Sequence, residues 1–166
     1  MASEGRKRLA LVASKGTLDQ AYPPLIMAST AGAMGWEAGI FFTFYGLNIL
    51  HRERLRHLQV SPIGNPAMPP PLHALPMVKV PNLLGTLPGM TAMATTMMKG
   101  WMSKAKMPSV EEMLQMCIEA DVRLFACATT MGVMGIRQEE LIPQAQCAGA
   151  TTFLDYAAGA DVSLFV

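Results

Sequence analysis

VRLFACATTMGVMG, residues 122–135, is the stretch on which the fold of this chain turns. Residues 122–126 are a short apolar run, which predicts a buried strand. Cys127 follows at once, then Ala128, Thr129 and Thr130, two polar caps and the start of a small-residue run that predicts a helical turn. That order puts Cys127 at the carboxyl end of a strand and the amino end of a helix. Ligands of open α/β sheets gather at the carboxyl ends of strands, and a helix amino terminus favours an anion. A thiolate is such an anion, so the position lowers a cysteine pKa. Two readings of Cys127 stay open here: a reactive thiol, or a buried structural cysteine, since free cysteine is among the most buried residue types.

Outward from this stretch the same strand–helix alternation recurs. Residues 6–13, RKRLALVA, predict a first strand. Residues 14–16 are a turn, and Thr17 with Gln20 fits a capping box. A helix is predicted over 18–34, with Pro23 and Pro24 making its opening irregular or late. Its apolar face is Leu25, Ile26, Met27, Ala28 and Ala31, and Gly32 and Gly35 end it. Residues 37–44, EAGIFFTF, are apolar almost throughout, as in a strand covered on both faces. Strand, helix and strand in so short a span predict a parallel βαβ crossover. The loop at 14–17 and residues 43–46 then share the carboxyl rim of the sheet with Cys127. On that rim Lys15, Gly16, Thr17 and Tyr45 are candidate binding residues, together with Ala128, Thr129 and Thr130, whose backbone N–H groups suit an anionic sulfur.

Residues 46–58 predict a short helix lined by Leu47, Leu50 or His51, Leu55 and Leu58. His51, Arg52, Arg54, Arg56 and His57 make it basic, as a solvated face or a docking patch. Neither histidine has metal-site spacing. Seven prolines interrupt residues 60–81, which predicts a long extended loop or an arm reaching another subunit. Residues 83–104 carry Met90, Met93, Met97 and Trp101 at helical spacing. Such a stripe suits an adaptable buried or oligomeric face, with a thioether copper site or a peripheral membrane contact beside Lys99, Lys104 and Lys106 as alternatives. Ser109 and Glu112 form a second capping box, and Val110, Met113, Leu114, Cys117 and Ile118 share one helix face. Cys117 is therefore a core residue or, as the alternative, a second thiol for Cys127. Residues 135–142 predict a short polar helix, 145–150 a strand containing Cys147, 151–159 a helix capped by Thr151 or Thr152, and 162–166 a terminal apolar strand.

The sum is one α/β domain over residues 1–166: a three-layer sandwich on a mainly parallel five-stranded sheet, with a Pro/Met-rich helical insert at about 60–107. Apolar residues make up 51% of the 166 and charged residues only 15%. Low charge leaves apolar surface to be covered by another subunit or a partner, and a net charge of +1 gives no sign of a nucleic-acid binder. No run reads as a membrane span or a signal peptide. Three cysteines without a C-x-x-C pair exclude a disulfide framework and a zinc knuckle, and they suit a reducing cytoplasm. Neither a metal nor a cofactor is expected.

The opening LALVASKGTLDQAYPPLIMASTAGAMGWEAGIFFTFYGLNIL, the central VRLFACATTMGVMGI and the closing EELIPQAQCAGATTFLDYAAGADVSLFV together resemble the DsrE/DsrF-like family, in its DsrE2-type branch, whose members are sometimes called peroxiredoxin-like. The resemblance implies a flavodoxin-like fold, homo-oligomers, and transfer of sulfane sulfur as a cysteine persulfide with TusA-like or rhodanese-like relay proteins. The family's site cysteine falls on Cys127, and Cys117 falls where members of this branch carry a further cysteine. Where many members have Gln, Met and Ser after the site cysteine, this chain has Ala128, Thr129 and Thr130. The expected function is a sulfur carrier or sulfurtransferase acting through Cys127. The rivals are a non-catalytic oligomeric binding module and a thiol peroxidase, although Leu124, Phe125 and Ala126 replace the Pro and Thr that precede a common peroxiredoxin cysteine.

Overall fold

Five apolar stretches pair side by side. β1 (Arg8–Ala13), β2 (Glu37–Phe42), β3 (Arg123–Cys127), β4 (Ala145–Ala148) and β5 (Val162–Phe165) form one sheet in the order β4-β3-β2-β1-β5, and every pairing is parallel. The computed structural model describes residues 5–61 and 87–166. The chain divides into two compact units, one of residues 1–58 and 108–166 and one of residues 59–107.

In the first unit the period-2 alternation of the strands sorts side chains onto two faces. Leu11, Ile40, Phe42 and Leu124 share one face and are fully buried. Helices α1 (Leu18–Ala33) and α3 (Val110–Glu119) belong to that side and pack on each other. The α1 helix runs from Leu18 without waiting for Pro23 and Pro24, and Pro24 is itself buried. Two ladder hydrogen bonds are lost there, and burial of Leu18, Ala21, Tyr22, Leu25, Ala28 and Ala31 offsets them. Ile26, expected on the apolar face, is 41% exposed. The expected Thr17 capping box is absent, because the Gln20 amide bonds instead to Asp19 Oδ2 at 3.2 Å. The Ser109 box at the start of α3 is present in both halves.

The opposite face holds Ala10, Phe41, Phe125, Cys127 and Ala148, covered by Phe153 and Tyr156 of α5 (Ala150–Ala158). Phe41 and Phe153 stack with centroids 4.8 Å apart, and Phe125 meets Phe153 edge-on at 5.9 Å. Gly39 is required beneath Tyr156, whose ring fills the space a Cβ would take. At the amino end of the sheet, Glu37 ties β1 to β3 through Arg8 (2.9 Å) and Arg123 (3.1 Å). Helix α5 starts at Ala150 with Gly149 as its cap, so neither Thr151 nor Thr152 caps it.

Two other predicted helices are shorter than expected. Residues 46–58 form two 3-10 turns, Phe44–Ile49 and Arg54–His57. Leu47, Leu50, His51, Leu55 and Leu58 are buried as the spacing implies. The ladder breaks because the His51 Nδ1 takes the N–H groups of Glu53 and Arg54 at 3.3 and 3.4 Å. Residues 135–142 contain only the 3-10 turn Gln138–Glu140, and Leu141 instead bridges to His51.

In the second unit, α2 (Met90–Lys104) buries Ala94 and Thr95. The expected methionine stripe is not its buried face: Met93 is 49% exposed, and Met90, Met97 and Trp101 are half-buried. Small residues fill that contact, with Thr95 Oγ1 accepting from the N–H of Val60 at 3.2 Å. The proline-rich loop or arm expected over 60–81 lies, apart from residues 60 and 61, outside the described residues. No helix among the described residues is long and apolar enough to cross a membrane, and no cluster of His, Cys, Asp and Glu among them has the makings of a metal site.

Candidate functional site

Parallel pairing carries the ends of β2 and β3 to the same height. Phe42 pairs with Ala126, so Thr43 and Cys127 leave the sheet side by side. Cys127 ends β3 and is the N-cap residue of α4 (Ala128–Met134). Its side chain lies on the aromatic face, against Phe125, Ala148 and Phe153, and the residue is 7% exposed.

Burial by these apolar neighbours is the largest single influence on the thiol and pushes its pKa up. Polar groups together outweigh it and leave the pKa below the ordinary thiol value: the hydroxyl and N–H of Thr130, the hydroxyl of Thr43 and the N–H of Thr129. The Sγ closes no capping hydrogen bond of full geometry to the helix. These groups therefore act as dipoles aimed at the sulfur. No charged side chain contributes to the shift.

Around the thiol the backbone is tightly specified. Thr130 is 4% exposed, its Oγ1 lies 3.0 Å from Thr43 Oγ1, and it accepts from the N–H of Phe44 at 3.3 Å. Phe44 holds φ +45°, a left-handed conformation unusual for a bulky residue. The next shell joins the β1 loop to this turn. Thr43 N–H donates to Ala13 O at 3.0 Å and Gly46 N–H to Ser14 O at 3.2 Å. Gly16 packs so closely on the Tyr45 carbonyl that a Cβ there would overlap it.

The rim thus brings Gly16 and Tyr45 together, and Thr129 and Thr130 to Cys127. Ala128 is exposed at the start of α4. Lys15 is exposed and reaches Gln20 Oε1 at 3.5 Å, not the thiol. Thr17 begins α1 without capping it. Cys117 is fully buried on α3, with its Sγ 3.4 Å from Leu25 O, and burial pushes its thiol up to about 12. All three cysteines are free, and Cys147 is exposed on edge strand β4. Sequence spacing places Thr43 and Phe44 on the rim without a role. The register of β2 against β3 gives them one, because the two parallel strands end at equal height.

Comparison with known proteins agrees with this architecture. Residues 5–165 match the DsrE/DsrF/DrsH-like family. The sulfur carrier protein DsrE2 of Allochromatium vinosum is 43% identical over 162 residues, covering 97% of this chain and 99% of that protein. YrkE of Bacillus subtilis, an uncharacterised protein, is 29% identical over 167 residues, with 99% of each covered. Among solved structures, YchN of E. coli superposes with a TM-score of 0.55 at 11% identity, over 96% of this chain and 99% of that one, and shares its fold. With the family matched over nearly its whole length and a relative this similar, the chain belongs to the DsrE/DsrF/DrsH-like family.

Proposed function

We propose that this protein is a sulfur carrier that holds sulfane sulfur as a persulfide on Cys127. The observation that carries the reading is a thiol at the end of β3 whose neighbouring N–H and hydroxyl dipoles favour the anion over the opposing effect of burial. The similarity to the sulfur carrier DsrE2 supports it. The Cys127 thiolate attacks the terminal sulfur of a donor persulfide, R–S–SH. A sulfur–sulfur bond forms to Cys127 as the donor's own breaks, and R–S⁻ leaves with the electron pair. Cys127–S–SH remains, and no net oxidation occurs. Delivery repeats the exchange with an acceptor thiolate attacking the terminal sulfur.

Cys117 takes no part in this reading, because a buried thiol with a pKa of about 12 is protonated at working pH. Donor and acceptor are relay proteins of the TusA-like or rhodanese-like kind. Phe44 and Tyr45, 60% and 66% exposed beside the thiol, give such a partner an apolar approach. The carrier works as a homo-oligomer in the cytoplasm, where unpaired cysteines stay reduced.

The test is intact mass spectrometry of the reduced protein after incubation with thiosulfate, polysulfide or a persulfidated carrier. A gain of about 32 Da per sulfur atom is expected, mapped to Cys127 and lost in Cys127→Ser. No adduct from any donor would overturn the reading. Sulfenic acid formed at Cys127 by peroxide, without sulfur loading, would replace it with thiol peroxidase chemistry.

A further inference from the structure

Two rim segments flank Cys127, and they are joined at two places. One follows β2 over residues 43–58, and the other runs from α4 through the 3-10 turn Gln138–Glu140 to residue 142. Beside the thiol they meet where Phe44 N–H donates to Thr130 Oγ1 at 3.3 Å. Farther along, His51 and Leu141 face each other as an antiparallel bridge. Three hydrogen bonds cross this second join: Arg52 N–H to Glu140 O at 3.0 Å, Ile142 N–H to Leu50 O at 2.9 Å, and Arg52 Nε–H to Leu141 O at 2.8 Å. Leu50 and Leu141 are fully buried there. Two of the three bonds belong to Arg52. The turn that presents Arg52 is held by the neighbouring imidazole, whose Nδ1 takes the N–H groups of Glu53 and Arg54 at 3.3 and 3.4 Å.

A ring nitrogen that accepts an N–H carries no proton of its own, so the single ring proton of His51 is on Nε2. A second proton has only Nδ1 to go to, where two N–H groups already point. Adding it turns the acceptor into a donor and sets it against them. We propose that His51 is an acid-sensitive latch on the rim: protonation at Nδ1 frees the turn at 52–54, loosens its join to residues 140–142, and so opens access to Cys127. The device goes beyond the carrier reading and does not depend on it. Cys127 is 7% exposed, so a reagent reaches its sulfur only when the rim opens locally. The charged groups around the ring come from both segments. Burial opposes the proton most and Arg54 next, while Glu140 across the join and Glu53 favour it. Glu140 offers the imidazolium no free carboxylate, because Arg137 N–H already donates to its Oε2 at 2.7 Å and the Arg137 guanidinium lies 3.5 Å away. Arg54 is oriented by Asn48 Oδ1 at 3.2 Å, and Arg56 is paired with Glu111 of α3 at 3.0 Å.

The experiment follows the pH dependence of Cys127 alkylation by iodoacetamide in the full chain, between about pH 8 and about pH 5, with peptide mapping to read Cys147 separately. His51→Asn supplies an acceptor oxygen that does not titrate. Dividing the wild-type rate by the variant rate at each pH therefore cancels the thiolate fraction. The ratio should be level above about pH 7 and rise about threefold or more by about pH 5, as local opening becomes easier. In the wild-type protein, NMR should show the amide signals of Glu53 and Arg54, and those of Arg52 and Ile142 at the join, moving with the midpoint of the His51 ring. A level ratio overturns the proposal. So do Arg52 and Ile142 amides that stay fixed while the ring titrates. Should His51→Asn fail to fold, the wild-type amide shifts decide alone. Sulfur loading enters neither readout, so failure of the carrier reading leaves this result standing.

Discussion

Cys117 and Cys127 show how far surroundings can separate two copies of one side chain. Cys117 sits in the helical layer with its sulfur 3.4 Å from the Leu25 carbonyl, and burial, against a smaller opposing effect of the Ser29 backbone, carries its pKa to about 12. Cys127 is also buried, yet it faces hydroxyls and N–H groups and is pulled below the ordinary value. Alkylation of the folded protein at neutral pH is therefore expected to label Cys127 and the exposed Cys147 while sparing Cys117 until unfolding, as peptide mapping would read out. A stability effect follows from the same group. A folded-state thiol pKa raised from 9.0 to about 12 stabilises the fold fully below 9.0, and that contribution is lost as pH rises towards 12. Cys117→Ala should cost about 1–2 kcal/mol at neutral pH and flatten the alkaline decline in denaturant unfolding.

At the scale of elements, the segment after β2 is held by a histidine, not by a helix. His51 is 5% exposed, and its Nδ1 takes two backbone N–H groups, which requires the neutral ring. Burial, and secondly the Arg54 charge, lower its pKa below 6.5. The unfolded chain then binds a proton below pH 6.5 that the folded chain resists, so stability falls as pH drops through that value. His51→Asn supplies an oxygen for the same N–H groups and does not titrate. Urea unfolding of the variant should lose the histidine share of the decline between about pH 7 and pH 5. An identical decline in both proteins would place its origin in other groups.

For the whole molecule, β4 and β5 are the two edges of the sheet, and among the described residues no further strand pairs with either. Strand β5 carries no charge and leaves Leu164 and Phe165 44% and 71% exposed. An apolar, unpaired edge is a template for another strand, and a second copy related by a two-fold axis would cover it. Phe165→Lys is expected to shift sedimentation towards smaller species while leaving the Cys127 alkylation midpoint unchanged. An unaltered size distribution would move the subunit contact to another surface.

Much of this was legible in the chain because it is encoded within a few residues. Four apolar runs and the small-residue stretch at 145–150 mark the five strands, Ser109 and Glu112 announce α3 from three residues apart, and the order strand–Cys127–helix puts the thiol on the rim. Local signals misled where side chains only one to three residues away compete for the same groups. Gln20 bonded to Asp19 and left Thr17 without its box, and His51 took the N–H groups that a helix over 46–58 needed. The environment of Cys127 was decided at the longest range. Thr43 and Thr130 are 87 positions apart, and only the parallel register of β2 on β3 brings their hydroxyls within 3.0 Å. Sequence spacing specifies which thiol stands at a strand end. The acidity of that thiol depends on dipoles that folding gathers from separate elements, and such dipoles act over ångströms in space, whatever their separation along the chain.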